Sequence, residues 1–171
     1  MFYFFLQIYM EQILLDAIDL ALLAQLQQDA SVSNLALAEQ VHVSPPTCLR
    51  RVKRLREAGW IERQVAVLSV DKLASVAGHG LCAVVEVTLD RQGQAALAAF
   101  EAKVAPDDAV QQCYRVSPGP DFCLLVHTAN MPAYLALTQR LFTNDANVRN
   151  VKAFFSVKRS KFGAVLPLPT A

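Results

Sequence analysis

Arg50, Arg51, Lys53, Arg54 and Arg56 put five cations into seven consecutive positions of the stretch "VHVSPPTCLRRVKRLREAGWI", Val41 to Ile61. Groups at that density suit a multiply charged oxyanion: a planar guanidinium can hold two acceptors at once, and an ammonium acts as a point charge. The whole chain carries 16 basic against 15 acidic side chains, a formal net charge of +1, so a polyanion would have to be met by this local patch. The competing explanation is a basic helix face that merely meets solvent.

Other chemistry is thinly provided for. Cys48, Cys82, Cys113 and Cys123 are too widely spaced for a CxxC metal or redox motif. They are expected to be buried, reduced core residues, which suits a cytoplasmic location. His42, His79 and His127 fall in separate elements without a nucleophile or carboxylate beside them, and there is no glycine-rich phosphate loop, so the residues argue against an enzyme, a metal or a cofactor. The opening run "MFYFFLQIYM" lacks a basic start and a small-residue cleavage site and is too short to cross a bilayer, so no membrane role is expected. Met10 stands immediately before "EQILLDAIDL", where an amphipathic pattern begins, and residues 1–9 are expected to come from an upstream start codon. An intact mass beginning at Met1, for protein made from the native gene, would overturn that expectation.

The residues around the basic patch predict its scaffold. From Leu15 to Gln28, Leu15, Ile18, Leu22 and Leu26 recur at helical spacing, with Asp16 placed to cap and Asp19 in the first turn. Ser33 caps a second, short helix, "NLALAEQV", ending near His42. His42, Val43 and Ser44 form a tight turn, and Ser44 followed by Pro45 starts a third helix with a hydroxyl cap and a proline where no N–H is needed. On that helix Cys48, Val52 and Leu55 point one way with Leu49 beside them, Thr47, Arg50 and Arg54 point the other, and Arg51 and Lys53 flank the outer stripe. Gly59 ends the helix, and "WIERQVAVLSV" reads as strand with Val65 and Val67 on one face. Three helices and a strand pair make a winged helix-turn-helix over residues 15–64, preceded by an extension over 1–14. Such a recognition helix enters the major groove of double-stranded DNA with its N-terminal residues near the base edges. Pro46, Thr47 and Arg50 are then placed to read sequence and Arg51, Arg54 and Arg63 to reach phosphates, with Ser44 and Lys53 completing the candidate DNA contacts.

Residues 65–79 read as strand and linker, and "GHG" at Gly78–Gly80 marks the entry to a second domain over 80–160, followed by a tail over 161–171. A strand over Leu81–Leu89 alternates Leu81, Ala83, Val85, Val87 and Leu89 against Cys82, Val84, Glu86 and Thr88. A helix is expected over about residues 92–104, then strands Ala109–Ser117 and Phe122–Thr128 joined by "PGPD". Asn130 and Pro132 open another helix to about Phe142 with Met131, Leu135 and Leu141 inward. A last strand, Val148–Lys158, turns Val151, Ala153, Phe155 and Val157 to a core. The order βαββαβ is an α+β, ferredoxin-like sandwich with both helices on one sheet face. The other face, with Val84 and Phe154, is too mixed for core or solvent, which predicts pairing of two sheets into a homodimer.

The segment "LDAIDLALLAQLQQDASVSNLALAEQVHVSPPTCLRRVKRLREAGWI" resembles the DNA-binding half of the Lrp/AsnC (leucine-responsive, feast/famine) transcriptional regulators, whose pattern runs LDxxDxxIL and then SxxELAxxVxLSxxxxxxRxxxLxxxGxI. The likeness is close over Leu15 to Ile61 and looser to about Lys161. His42 departs from it, since the family has glycine there. The resemblance implies a regulator of transcription that addresses a pseudo-palindromic operator. Its second domain would form dimers, or tetramers and octamers built from them, and would bind an amino-acid effector between subunits. The family's effector loop, V-S-G-x-[FY]-D-[YF], falls without a gap on Val116 to Phe122. Asp121 and Phe122 are kept, but the family glycine falls on Pro118, and Gly119 follows one position late with Pro120 after it. The implied effector site takes Arg115, Ser117, Pro118, Gly119, Pro120, Asp121, Met131 and Phe154. Asp121 could meet a ligand ammonium or satisfy backbone N–H groups of the turn, and the loop could instead be a rigid hairpin at a subunit contact. The expected function is thus sequence-specific DNA binding modulated by a small effector, the alternative being an amino-acid-sensing or assembly module that does not bind DNA.

Overall fold

A computed structural model of the chain describes residues 14–78 and 80–169, so the extension before Leu14 and His79 lie outside the described residues. Contacts divide the chain into two units, one running to Ala66 and including the residues from Lys161 onward, the other Val67–Ser160. The segment from Lys161, set apart above as a tail, thus belongs with the first unit.

In the first unit, α1 (Ala17–Leu26) opens with a reciprocal cap: the Asp16 carboxylate accepts from the Asp19 N–H and the Asp19 carboxylate from the Asp16 N–H. In α2 (Asn34–Gln40) the Ser33 hydroxyl accepts from the Ala36 N–H. The helix closes with His42 N–H on Glu39 O and Val43 N–H on Ala38 O, a pairing that requires a left-handed residue at position 42. His42 accordingly has φ +55°, the conformation in which the related pattern places glycine. The recognition helix α3 (Pro45–Glu57) ends in the same motif, with Gly59 N–H on Arg56 O, Trp60 N–H on Leu55 O and φ +78° at Gly59. Leu22, Leu37, Ala38, Cys48, Val52 and Leu55 form one buried core, with Leu15, Ile18 and Leu26 packed on it. Leu49 is not part of it: one residue beyond Cys48 turns it about 100° off the stripe, and it is exposed.

The strand expected from Trp60 is not formed among the described residues, where no ladder partner is paired with that segment. A strand is held by its neighbour's N–H and C=O groups, so a period-two pattern alone does not make one. The supposed linker instead contains α4 (Val70–Ala77), capped by the Ser69 hydroxyl on the Lys72 N–H.

The second unit is a four-stranded antiparallel sheet of β1 (Leu81–Leu89), β2 (Val110–Arg115), β3 (Phe122–Thr128) and β4 (Val148–Phe155), in the order β2-β3-β1-β4. Helix α5 (Gln94–Val104) follows β1, and α6 (Met131–Thr138), continued by a π-helical turn over Gln139–Thr143, follows β3. Ala83, Val85, Val87 and Leu89 of β1 join Phe100, Val104, Phe122, Leu124, Val126, Tyr134, Leu137, Leu141 and Phe142 in one core. The expected alternation of β1 is therefore observed, and the fold is the α+β sandwich anticipated. Three side-chain expectations fail. Met131 and Leu135 are exposed and Tyr134 and Leu137 face inward, because Met131 is the first helical residue and the inward stripe starts one turn later. Phe155 and Val157 are exposed, since β4 ends at Phe155 and Val157 has no sheet beneath it. Of the four free cysteines only Cys48 is buried; Cys82, Cys113 and Cys123 are half-buried.

Candidate DNA interface and effector site

The basic helix is anchored through its own cations. Asp19 of α1 is fully buried, and its Oδ1 accepts from Arg51 at 2.8 Å while its Oδ2 accepts from Arg54 at 2.5 Å. Arg51 also reaches Asp16 Oδ2 at 2.7 Å. The backbone N–H of Asp19 and then the Arg51 guanidinium hold the Asp16 carboxyl below its ordinary range. These contacts revise the roles expected for Arg51 and Arg54. Both neutralise a carboxylate that could not stand buried alone, and their Nε groups are buried without an acceptor. No periodicity argument could find this, because Asp19 lies on the apolar side of α1 and its partners are 32 and 35 residues away.

What is left outward is narrower than the sequence run. Arg50 is exposed on α3, and Lys53, also exposed, has only a 3.7 Å approach to Glu57 one turn on. Arg56 donates to the Gln64 side chain at 2.7 Å, and Arg63 is exposed. At the helix start, the Ser44 hydroxyl makes no cap bond to backbone; it pairs with the Thr47 hydroxyl at 2.9 Å. Proline at the first helical position leaves fewer N–H groups to satisfy there. Asn34 donates to Pro45 O at 2.9 Å and fixes the start of α3 against the start of α2. The outer face of the helix thus presents Pro46, Thr47, Arg50 and Lys53, held by an anchored inner side.

The implied effector residues are not gathered in one chain. Val116 to Asp121 form the turn between β2 and β3, with Gly119 at φ +121°. Asp121 serves the backbone: Oδ2 accepts from the Leu89 N–H at 2.7 Å and from Gln92 Nε2 at 3.3 Å, and its own N–H donates to Val87 O. Of the two roles open to it, the structure displays that of a turn residue, and Gln92 is a partner the pattern did not single out. Arg115 lies on the helix side of the sheet, its Nε and one terminal nitrogen on the two oxygens of Glu101 at 3.0 and 2.8 Å and the other on Gln94. Phe154 pairs with Val84 on the opposite face, where both are exposed. Met131 opens α6 beyond the far end of β3, separated from the turn by the seven residues of that strand, about 20 Å at the usual rise. A ligand touching all of these groups would need more than one copy of the chain.

Comparison with known proteins bears on both units. Residues 15–62 match a family profile described as winged helix-turn-helix DNA-binding, and residues 82–166 match the Lrp/AsnC ligand binding domain. An uncharacterized HTH-type transcriptional regulator of Haemophilus influenzae is 37% identical over 157 residues, covering 92% of this chain and 90% of that protein. The leucine-responsive regulatory protein of Rhizobium meliloti is 37% identical over 147 residues, 86% of this chain and 92% of the relative. Among solved structures, a transcriptional regulator of Neisseria meningitidis in complex with L-Met superposes with a TM-score of 0.75 at 28% identity, covering 90% of this chain and 97% of that one. An AsnC family regulator of Agrobacterium tumefaciens reaches 0.76 at 27% identity with the same coverage.

Proposed function

Since the chain belongs to the Lrp/AsnC family of transcriptional regulators, DNA-binding proteins with a ligand-binding domain, we propose that its first unit reads a pseudo-palindromic operator in the cytoplasm and that its second unit pairs copies of the chain and takes up an amino acid. The observation that carries the DNA half is the division of labour on α3. Arg51 and Arg54 hold Asp19, while Thr47, Arg50 and Lys53 stay on the outer side. An anchored helix loses little freedom when it enters a groove, which favours discrimination over loose charge attraction. Arg50 then reads base edges, Lys53 and Arg63 meet phosphates, and Ser44 and Thr47 orient the helix start.

For the effector half, the amino-acid class rests on the ligand-binding profile and on the L-Met complex of the Neisseria relative. The spread of Arg115, Met131, Phe154 and the 117–121 turn over both faces and both ends of the sheet favours a site assembled between copies. Ligand binding there would change DNA affinity only by binding two arrangements of the assembly unequally.

The test is binding of the purified chain to DNA upstream of its own gene, at two salt concentrations and with a panel of amino acids. Selective, salt-sensitive binding is expected. Arg50→Ala should lose about 1–3 kcal/mol of discrimination between operator and unrelated DNA. Lys53→Ala should weaken binding to both and reduce the salt slope by about one. Absence of selective binding would overturn the DNA half, and selective binding that no amino acid alters would overturn the effector half.

A further inference from the structure

Residues 161–169, "KFGAVLPLP", have so far been given no task. The ligand-binding profile runs on to residue 166, yet the contacts of this segment join it to the DNA-binding unit. Its attachment is specific. Gln27 Nε2 donates to Leu166 O and the Leu166 N–H donates to Gln27 Oε1, both at 2.9 Å. The side-chain amide so presents one donor and one acceptor to a single residue, as a neighbouring strand would.

The place of attachment fits the composition of α1. That helix, "AIDLALLAQL", is apolar on nearly every side, whereas a helix with only one buried face carries polar residues opposite it. Ile18, Leu22 and Leu26 occupy the side facing the core. Leu23 packs at the edge of that core, while Leu20, Ala24 and Gln27 recur at helical spacing on the other side and are half-buried rather than exposed. Pro167 and Pro169 hold the incoming segment extended and give it few conformations to lose on docking.

We infer that the outer stripe of α1 is a docking surface for the chain's own C-terminal segment, which acts as a strap ending on Gln27. The DNA-binding unit is then tied to the ligand-binding unit by chain on both sides, near Ala66 and near Lys161. The chain that leaves the sandwich at Ser160 thus ends on α1, and α1 holds the recognition helix through Asp19.

Hydrogen exchange on the full chain, on Gln27→Ala and on a chain ended after Ser160 tests this. Amides of 17–27 should exchange about ten-fold faster in both variants, with β1 to β4 unchanged. Oxidation of Gln27→Cys combined with Leu166→Cys should give an internal cross-link at monomer mass, judged against each single variant. Unaltered exchange in α1, or faster exchange confined to the sandwich, would overturn the strap. A covalent dimer from the paired cysteines would also overturn it, by making the occupant a second copy.

Discussion

Replacing Asp19 by asparagine removes the one buried charge on which the recognition helix is anchored. The carboxylate is fully buried and accepts from Arg51, Arg54 and the Asp16 N–H. Breaking a buried ion pair costs about 3–5 kcal/mol when the remaining charge is left without compensation. Here the remaining charges are guanidiniums whose side chains are 17% and 39% exposed, and Arg51 keeps Asp16, so partial rehydration lowers the expected loss to about 2–3 kcal/mol. Trp60, the single tryptophan, follows Gly59 at the end of α3 with its N–H on Leu55 O, so its fluorescence reports on this unit. With a urea slope of about 1–1.5 kcal/mol per molar for a unit of this size, the Trp60 midpoint should fall by about 2 M. The change belongs to the ion cluster only if Asp19→Asn combined with Arg54→Gln costs clearly less than the sum of the two single changes. A loss under about 0.5 kcal/mol, the scale of an exposed pair, would refute the anchoring argument and return Arg51 and Arg54 to the phosphate role.

Three further outcomes follow from local geometry. His42→Gly relieves a left-handed histidine at φ +55° and should stabilise the first unit by up to about 1 kcal/mol, read as a rise in the Trp60 midpoint. Asp121→Asn weakens the acceptor of the Leu89 N–H and should cost the second unit about 1–2 kcal/mol by far-UV circular dichroism; unchanged stability with a lost amino-acid response would instead make Asp121 a ligand group. Because Asp16 is held below its ordinary range when folded, its contribution is fully present above the unfolded carboxylate pKa of about 4 and is lost as pH falls through and below that value. The Trp60 midpoint should therefore decline on acidification below about pH 4, and less so in Asp16→Asn.

Sequence by itself determined the elements whose signals are local. The Asp16–Asp19 cap, the Ser33 cap and the Gly59 stop delimit helices because each satisfies backbone groups within a few residues, and the proline after Ser44 starts the third by removing an N–H that would need a partner. The alternation of Leu81 to Leu89 marked both the strand and its buried face, since the period of two is a property of the chain itself. The basic run likewise marked α3 as the candidate anion-binding helix. Only the tertiary structure decided which of those cations hold Asp19. On a helical wheel Arg54 lies beside Arg50 and Arg51 flanks that stripe, and what sets the two apart from Arg50 is a carboxylate more than 30 residues earlier, brought beneath them by packing of α1 on α3. The same holds for the missing strand after Trp60, which needed a partner, and for Asp121, whose carboxylate went to the Leu89 N–H of another strand. Caps and periods are short-range physics; the fate of a charge depends on what burial places beside it.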